Sequence, residues 1–183
     1  MHRIAVLLAM LAGIVPAARA DAPNQPVAHV DLARYAGTWY EQARLPMLFQ
    51  RACARDTRAT YTPRADGRID VVNRCTTRTG AVKVARGVAR RVGHSTSRLE
   101  VRFAPTALSF LPVVWGDYWI VALDDDYRWA MVGSPGRDYL WILSRDPVLD
   151  RGVRDRLVAR AKAMGYPVER LLTSPQGVAT VEQ

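Results

Sequence analysis

Downstream of residue 36 the chain alternates apolar and polar positions in short runs rich in β-branched and aromatic residues, the pattern of strands with one buried face. Eight such runs predict strands at 39–44, 57–62, 68–75, 81–92, 97–103, 117–123, 127–132 and 139–145. Turn residues separate several of them, at 63–67, Thr79-Gly80, 124–126 and Ser134-Pro135-Gly136. Eight successive strands with tight connections suit an all-β, up-and-down antiparallel β-barrel, because closing the sheet removes edges that would otherwise template aggregation.

The period changes once. Leu149, Val153, Leu157, Val158, Ala161 and Met164 recur at spacings of three and four, with Arg151, Arg154, Arg156 and Arg160 on the other side. That spacing predicts an α-helix over 149–164, and Gly165 stands where a C-terminal cap would end it. A helix with one apolar stripe packs that stripe on something, here the outside of the barrel. Lying on a membrane is the weaker alternative, since the stripe is short and lacks aromatic anchors.

The first residues follow a different pattern. Met1-His2-Arg3 is a basic start, residues 4–15 are apolar or glycine, and Pro16 precedes the small-residue site Ala18-Arg19-Ala20. Residues 1–20 therefore read as a signal peptide cleaved before Asp21, with a buried N-terminal helix as the alternative. A single domain at 21–183 would remain, exported to the periplasm or lying peripheral to the outer membrane. Residues 13–21 contain no cysteine, so no lipoprotein anchor is expected.

Composition narrows the function classes. With 183 residues, 49% of them hydrophobic, the chain can bury a core, and disorder is excluded. Its 2 cysteines are too few for a four-ligand zinc site or a disulfide scaffold. The formal charge is +9, and all 26 basic residues except Lys83 and Lys162 are arginine. They are scattered without interleaved aromatic platforms, which argues against a nucleic-acid partner. A solvated arginine-rich outer face is the first account of them, and attraction to anionic lipid headgroups the second. Beyond the leader only His29 and His94 remain, and neither G-x-S-x-G nor H-E-x-x-H occurs. No catalytic residue, cofactor or metal is expected.

Three segments carry a resemblance. Gly37-Thr38-Trp39-Tyr40 opens the first strand, Asp124 to Tyr127 joins the sixth and seventh, and Arg145 ends the eighth. In that order they resemble the signature segments of the lipocalins. The stretches around 122–128 and 137–145 are similar to bacterial lipocalins of the outer-membrane lipoprotein (Blc) type and to apolipoprotein D, over about 30–172. The resemblance implies that Gly37, Trp39, Asp124, Tyr127 and Arg145 are structural, with Trp39 and Arg145 meeting at the closed end of the barrel. There a guanidinium can stack on an indole and donate to carbonyls. It also implies that Tyr61, Asn73 and Trp141 face a ligand.

Strand parity extends that set. Counting from Arg145 puts Leu143, Trp141 and Tyr139 inward, and counting from Trp39 puts Glu41 and Ala43 there. Thr57 and Ala59 join Tyr61, and Ile69, Val71 and Cys75 join Asn73. The expected ligand-binding residues are Glu41, Tyr61, Asn73, Tyr139 and Trp141, in a mostly apolar pocket. A filled core is the alternative for each of them.

The open end is expected to carry two apolar loops, 45–56 and 104–116, which suit a lid, a membrane-docking surface or a homodimer contact. Cys53 and Cys75 fall near the same end, and in an exported protein they would form a disulfide worth about 3 kcal/mol by the chain-entropy model. The competing reading is a reactive thiol inside the barrel. The resemblance implies binding and storage or transport of fatty acids or lysophospholipids in the bacterial cell envelope, for membrane maintenance under stress. A lipocalin-fold enzyme or a protein-binding inhibitor is the alternative.

Overall fold

The strand pattern closes on itself. In the structure, a computed structural model describing residues 22–177, β1 (Gly37–Arg44), β2 (Cys53–Pro63), β3 (Ile69–Thr77), β4 (Val82–Arg91), β5 (Arg98–Arg102), β6 (Gly116–Leu123), β7 (Trp129–Gly133) and β8 (Leu140–Ser144) pair antiparallel in sequence order. β1 pairs with both β2 and β8, so the sheet is an eight-stranded antiparallel barrel, as the alternation predicts. The expected leader lies outside the described residues.

A short extra strand, β9 (Leu172–Thr173), pairs with β1. β1 and β2 are in register only from Gly37↔Tyr61 to Tyr40↔Arg58. Above that point the C-terminal segment enters the seam, with Thr173 opposite Ala43 and the Ser174 amide donating to the Gln42 carbonyl at 3.0 Å. On the other side the Asp56 amide donates to the Pro175 carbonyl at 2.8 Å, and Gln176 Nε2 donates to the carbonyls of Glu41 and Thr57.

Two bulges correct the parity count. Glu41 pairs with Leu143 but Ala43 pairs with Ile142, leaving Gln42 as an extra residue that turns the rest of β1 over. Ala43, expected inward, instead packs outside with Ile142 and Leu157, and Arg44 takes the inward place. In β6 the register slips at Val121, so Val121 and Ala122 both face outward. The seventh strand also starts later than expected, because Tyr127 has φ +59° and belongs to the preceding turn. Cys53 begins β2 rather than lying in the loop before it.

The barrel is packed on both faces. Inside, Trp39, Tyr61, Val71, Leu99, Tyr118, Ile120, Val132 and Leu143 form the main core. Outside, α2 (Arg151–Ala163) buries Leu157 and Ala161 against β1 and β6–β8. Asp150 caps its start by accepting from the Val153 amide at 2.9 Å. At its end the Tyr166 amide bonds the Ala161 carbonyl and the Gly165 amide the Lys162 carbonyl, with Gly165 at φ +82°, a Schellman arrangement that glycine suits. Residues 22–26 run along the outside against α2 and the end of β7, and residues 27–36 cross the closed end, including α1 (Leu32–Tyr35), whose Asp31 cap accepts from two helix amides.

Candidate functional site

The closed end is held by one guanidinium. Arg145 lies 3.9 Å above the Trp39 ring centroid and donates to the carbonyls of Thr38 (3.0 Å), Arg34 (2.6 Å) and Tyr127 (3.3 Å). Trp39, fully buried, donates its indole N–H to the Tyr35 carbonyl at 2.8 Å. Gly37 has φ +94°, and a Cβ there would sit 3.3 Å from Arg145 Nη1, so glycine serves both backbone and packing. Tyr127 accepts from the Asp31 amide through its hydroxyl and stacks under Arg34 at 4.1 Å. The Asp124 carboxylate accepts from the amide and guanidinium of Arg128, which hold it below the usual carboxylate range.

Above this base three tyrosines form a floor. The Tyr118 hydroxyl bonds those of Tyr35 (2.9 Å) and Tyr61 (2.8 Å). Burial pushes all three phenols up, Tyr61 to about 12. They are neutral partners that satisfy one another in an apolar interior.

The upper half of the barrel is different in kind. The bulge at Gln42 puts Arg44 beside Glu41, with Arg44 Nη1 3.0 Å from Glu41 Oε1 and both residues buried. Glu41 also accepts from Gln50 Nε2 at 2.5 Å and from the Ser174 hydroxyl. A buried carboxylate is costly unless several donors replace its water, and here three do. Gln50 lies in the β1–β2 loop, and its Oε1 accepts from Trp141 Nε1 at 3.1 Å. One amide thus ties the loop to the inner wall of β8 and to the buried ion pair. Arg44 Nε and Asn73 Oδ1 are buried polar atoms without a hydrogen-bond partner among the described residues.

Of the five expected ligand-binding residues, the structure joins three around this network. Glu41 and Trp141 are bridged by Gln50, and Tyr139 stacks on Trp141 with ring centroids 6.0 Å apart. Tyr139 precedes β8 and stands at the rim, where Phe49 extends the aromatic row. Asn73 stands apart on β3, between Ala59 and Ala85, and Tyr61 belongs to the floor. The inward residues of β4 are small there, Ala85 and Gly87, and the Phe103 ring fills the space over Gly87.

Sequence reasoning did not single out Arg44, Gln50, Ser174, Tyr35 or Tyr118 as site residues. Tyr118 had a signal, since it alternates with Ile120 on a predicted strand. Gln50 had a weaker one, as an amide in an otherwise apolar loop. Arg44 had none, because the bulge cannot be counted from alternation.

The rim carries the apolar loops. Leu45 and Met47 are buried, whereas Leu48 is 83% and Phe49 60% exposed, as are Phe110 (75%) and Val113 (87%) on the 103–115 connection. A groove of about 480 Å³ runs between residues 45–49, Tyr139 and Arg170. The Cys53–Cys75 disulfide, with Cα atoms 5.5 Å apart, joins the start of β2 to β3 at this end. It closes the reactive-thiol alternative in this state, since no free cysteine is present among the described residues.

Residues 30–176 match the lipocalin-like domain model. The chain belongs to the lipocalin family. This lipocalin is 39% identical over 150 residues to temperature-induced lipocalin-1 of Arabidopsis thaliana, covering 80% of each chain. It is 36% identical to the outer membrane lipoprotein Blc of Escherichia coli K12, covering 91% of this chain and 93% of that one. Mouse apolipoprotein D is 29% identical over 96% of both chains. Among solved structures, insecticyanin of the tobacco hornworm Manduca sexta superposes with a TM-score of 0.65 at 20% identity, covering 85% of each chain, which shows the shared fold.

Proposed function

We propose that this lipocalin binds and carries fatty acids or lysophospholipids in the bacterial cell envelope. The division of the barrel interior carries the proposal. The lower half is sealed by Trp39 and the three tyrosines, whereas the inward positions Ala59, Asn73, Ala85, Gly87 and Trp141 above them stay partly exposed. An acyl chain fits a wall of small and aromatic residues, where each buried methylene contributes about 0.8 kcal/mol. The unpartnered Arg44 Nε and Asn73 Oδ1 offer a donor and an acceptor to a polar head. In this proposal Glu41 acts through Arg44 and Gln50, Trp141 and Tyr139 form the wall, and Tyr61 is the floor.

The leader pattern and the relatives support a location and a physiological role. Residues 1–20 direct export, and cleavage before Asp21 releases the domain. Relatives named outer membrane lipoprotein and temperature-induced lipocalin support an envelope role in membrane maintenance under stress. Binding, with no chemical step, is the activity.

Two measurements test the proposal. Organic-solvent extraction of protein purified from its natural compartment, followed by mass spectrometry, should release fatty acid or lysophospholipid in near-stoichiometric amount. Titration with both lipid classes at several chain lengths should change tryptophan fluorescence through Trp141, with affinity rising with chain length to an optimum. Absence of binding for every acyl ligand in the delipidated protein would refute the carrier function.

A further inference from the structure

The outer face of β2–β4 holds a cationic surface that the interior site does not use. Arg58 and Arg74 stand directly opposite each other, and Arg74 is paired in turn with Val84 on β4. Arg86 is one outward position further along β4, opposite Val72. No carboxylate among the described residues lies within 4.0 Å of these three guanidinium groups, although nine such ion pairs occur elsewhere. Like charges directly opposite across a strand pair are destabilising, so the arrangement does not serve the fold.

The same face carries apolar side chains. Val82 is 64% and Val84 40% exposed, both on the outward parity of β4. Arg58, Arg74, Thr76 and Val82 line one depression of about 160 Å³ together with Asp56 and Cys75. Asp56 is the acidic group there, and it is already engaged by Arg55 at 2.5 Å, by Thr76 and by the Gly177 amide. Asp70, the one carboxylate on β3, lies toward the closed end beside Arg64. The outward row of β4 thus runs from Val82 nearest the mouth through Val84, level with Arg58 and Arg74, to Arg86 one pair nearer the closed end, while Leu48 and Phe49 stand elsewhere on the rim, on the Tyr139 side.

We infer that this arginine–valine flank docks on the phosphates of an anionic phospholipid surface, tilting the barrel so that its mouth meets the bilayer. Guanidinium forks match phosphate oxygens, exposed valines enter the headgroup boundary, and the Cys53–Cys75 link ties the docking strands to the lip of the mouth. The purpose of docking rests on the lipid-carrier function, but docking itself is measured separately.

Sedimentation with vesicles supplies the test, comparing pure phosphatidylcholine with vesicles in which half the lipid is phosphatidylglycerol. Wild type should bind the anionic vesicles selectively and release them as salt is raised. A surface arginine contributes about fivefold to such binding, so Arg58→Gln, Arg74→Gln and Arg86→Gln together should weaken it about a hundredfold, and Arg86→Gln alone about fivefold. Melting temperatures should not fall, since the substitutions relieve like-charge contact. Arg151→Gln on the exposed face of α2 should leave binding unchanged. Equal binding by wild type and the triple variant would overturn the inference, as would a loss in Arg151→Gln equal to that in Arg86→Gln, which would make net charge the cause. Inorganic phosphate that stabilises wild type but not the triple variant, without vesicle binding, would instead identify a free-phosphate site and overturn it too. Affinity for a fluorescent fatty acid without vesicles, measured on the same proteins, should be unchanged in the triple variant. Loss of acyl binding in wild type would remove the carrier function and leave docking to be judged on the vesicles alone.

Discussion

Replacing Arg145 with alanine separates the barrel's scaffold from its pocket. The side chain donates to three carbonyls, at 2.6, 3.0 and 3.3 Å, and stacks on Trp39 at 3.9 Å. Hydrogen bonds to a charged group contribute about 1.5–3 kcal/mol each when buried, and a partly desolvated cation–π contact about 1–2 kcal/mol. Arg145 is half-buried and water can reach part of the vacated site, so the full sum is not lost. A net cost of about 3 kcal/mol is expected, and for a domain of this size that lowers Tm by about 6–12 °C. Arg145→Lys should recover part of the loss, since an ammonium keeps the charge but cannot fork to three carbonyls. Acyl affinity of Arg145→Ala, measured well below its Tm, should stay within about twofold of wild type because the tyrosine floor separates Arg145 from the upper wall. A normal Tm combined with altered ligand preference would show that the closed end shapes the pocket, and the division between scaffold and site would be wrong.

Trp141→Ala should weaken acyl binding by about 1–3 kcal/mol, read by calorimetric titration, while the barrel still melts cooperatively. Reduction of Cys53–Cys75 should raise hydrogen exchange in residues 45–52 more than in the strands and speed release of a fluorescent fatty acid; a release rate indifferent to reduction would count against loop closure. Ultraviolet titration should show a tyrosine class that ionises only near pH 12 or on unfolding. The folded phenols hold their protons more tightly than the unfolded ones, whose pKa is near 10. The stability from this source is therefore fully present below pH 10 and is lost as pH rises through about 12 for Tyr61. A single tyrosine step near pH 10 in the folded protein would contradict the buried floor.

Much of the fold was legible because the periods are strong. All eight barrel strands were visible as alternation, and the helix as a stripe ended by Gly165. What alternation cannot carry is an extra residue. Gln42 and Val121 each add one, and neither residue type marks a bulge, so the count failed for Ala43 and could not find Arg44. Tyr127 reads as a strand residue by propensity, yet with a positive φ it closes the 124–127 turn, its amide donating to the Asp124 carbonyl, and contacts Asp31 and Arg145. The C-terminal segment was silent for another reason. Ser174 and Gln176 are ordinary polar residues whose partners, Glu41 and Thr57, lie far away in sequence.

These illegible features act together. Without the Gln42 bulge Arg44 would point outward, and Glu41 would face an apolar interior with one donor fewer. With it, one buried carboxylate gathers Arg44 from β1, Gln50 from the mouth loop and Ser174 from the strap that fills the β1–β2 seam. The loop and the strap are thus held by the same group, and Arg44 Nε stands beside them without a partner, apart from any strand pairing. The barrel's hydrogen-bond ladder supplies one continuous wall, and the Glu41 network ties the mouth loop and the C-terminal strap to it through side chains. That division places the side-chain ties of loop and strap toward the open end, where the exposed apolar rim also lies, and the backbone-carbonyl clamp of Arg145 at the closed end.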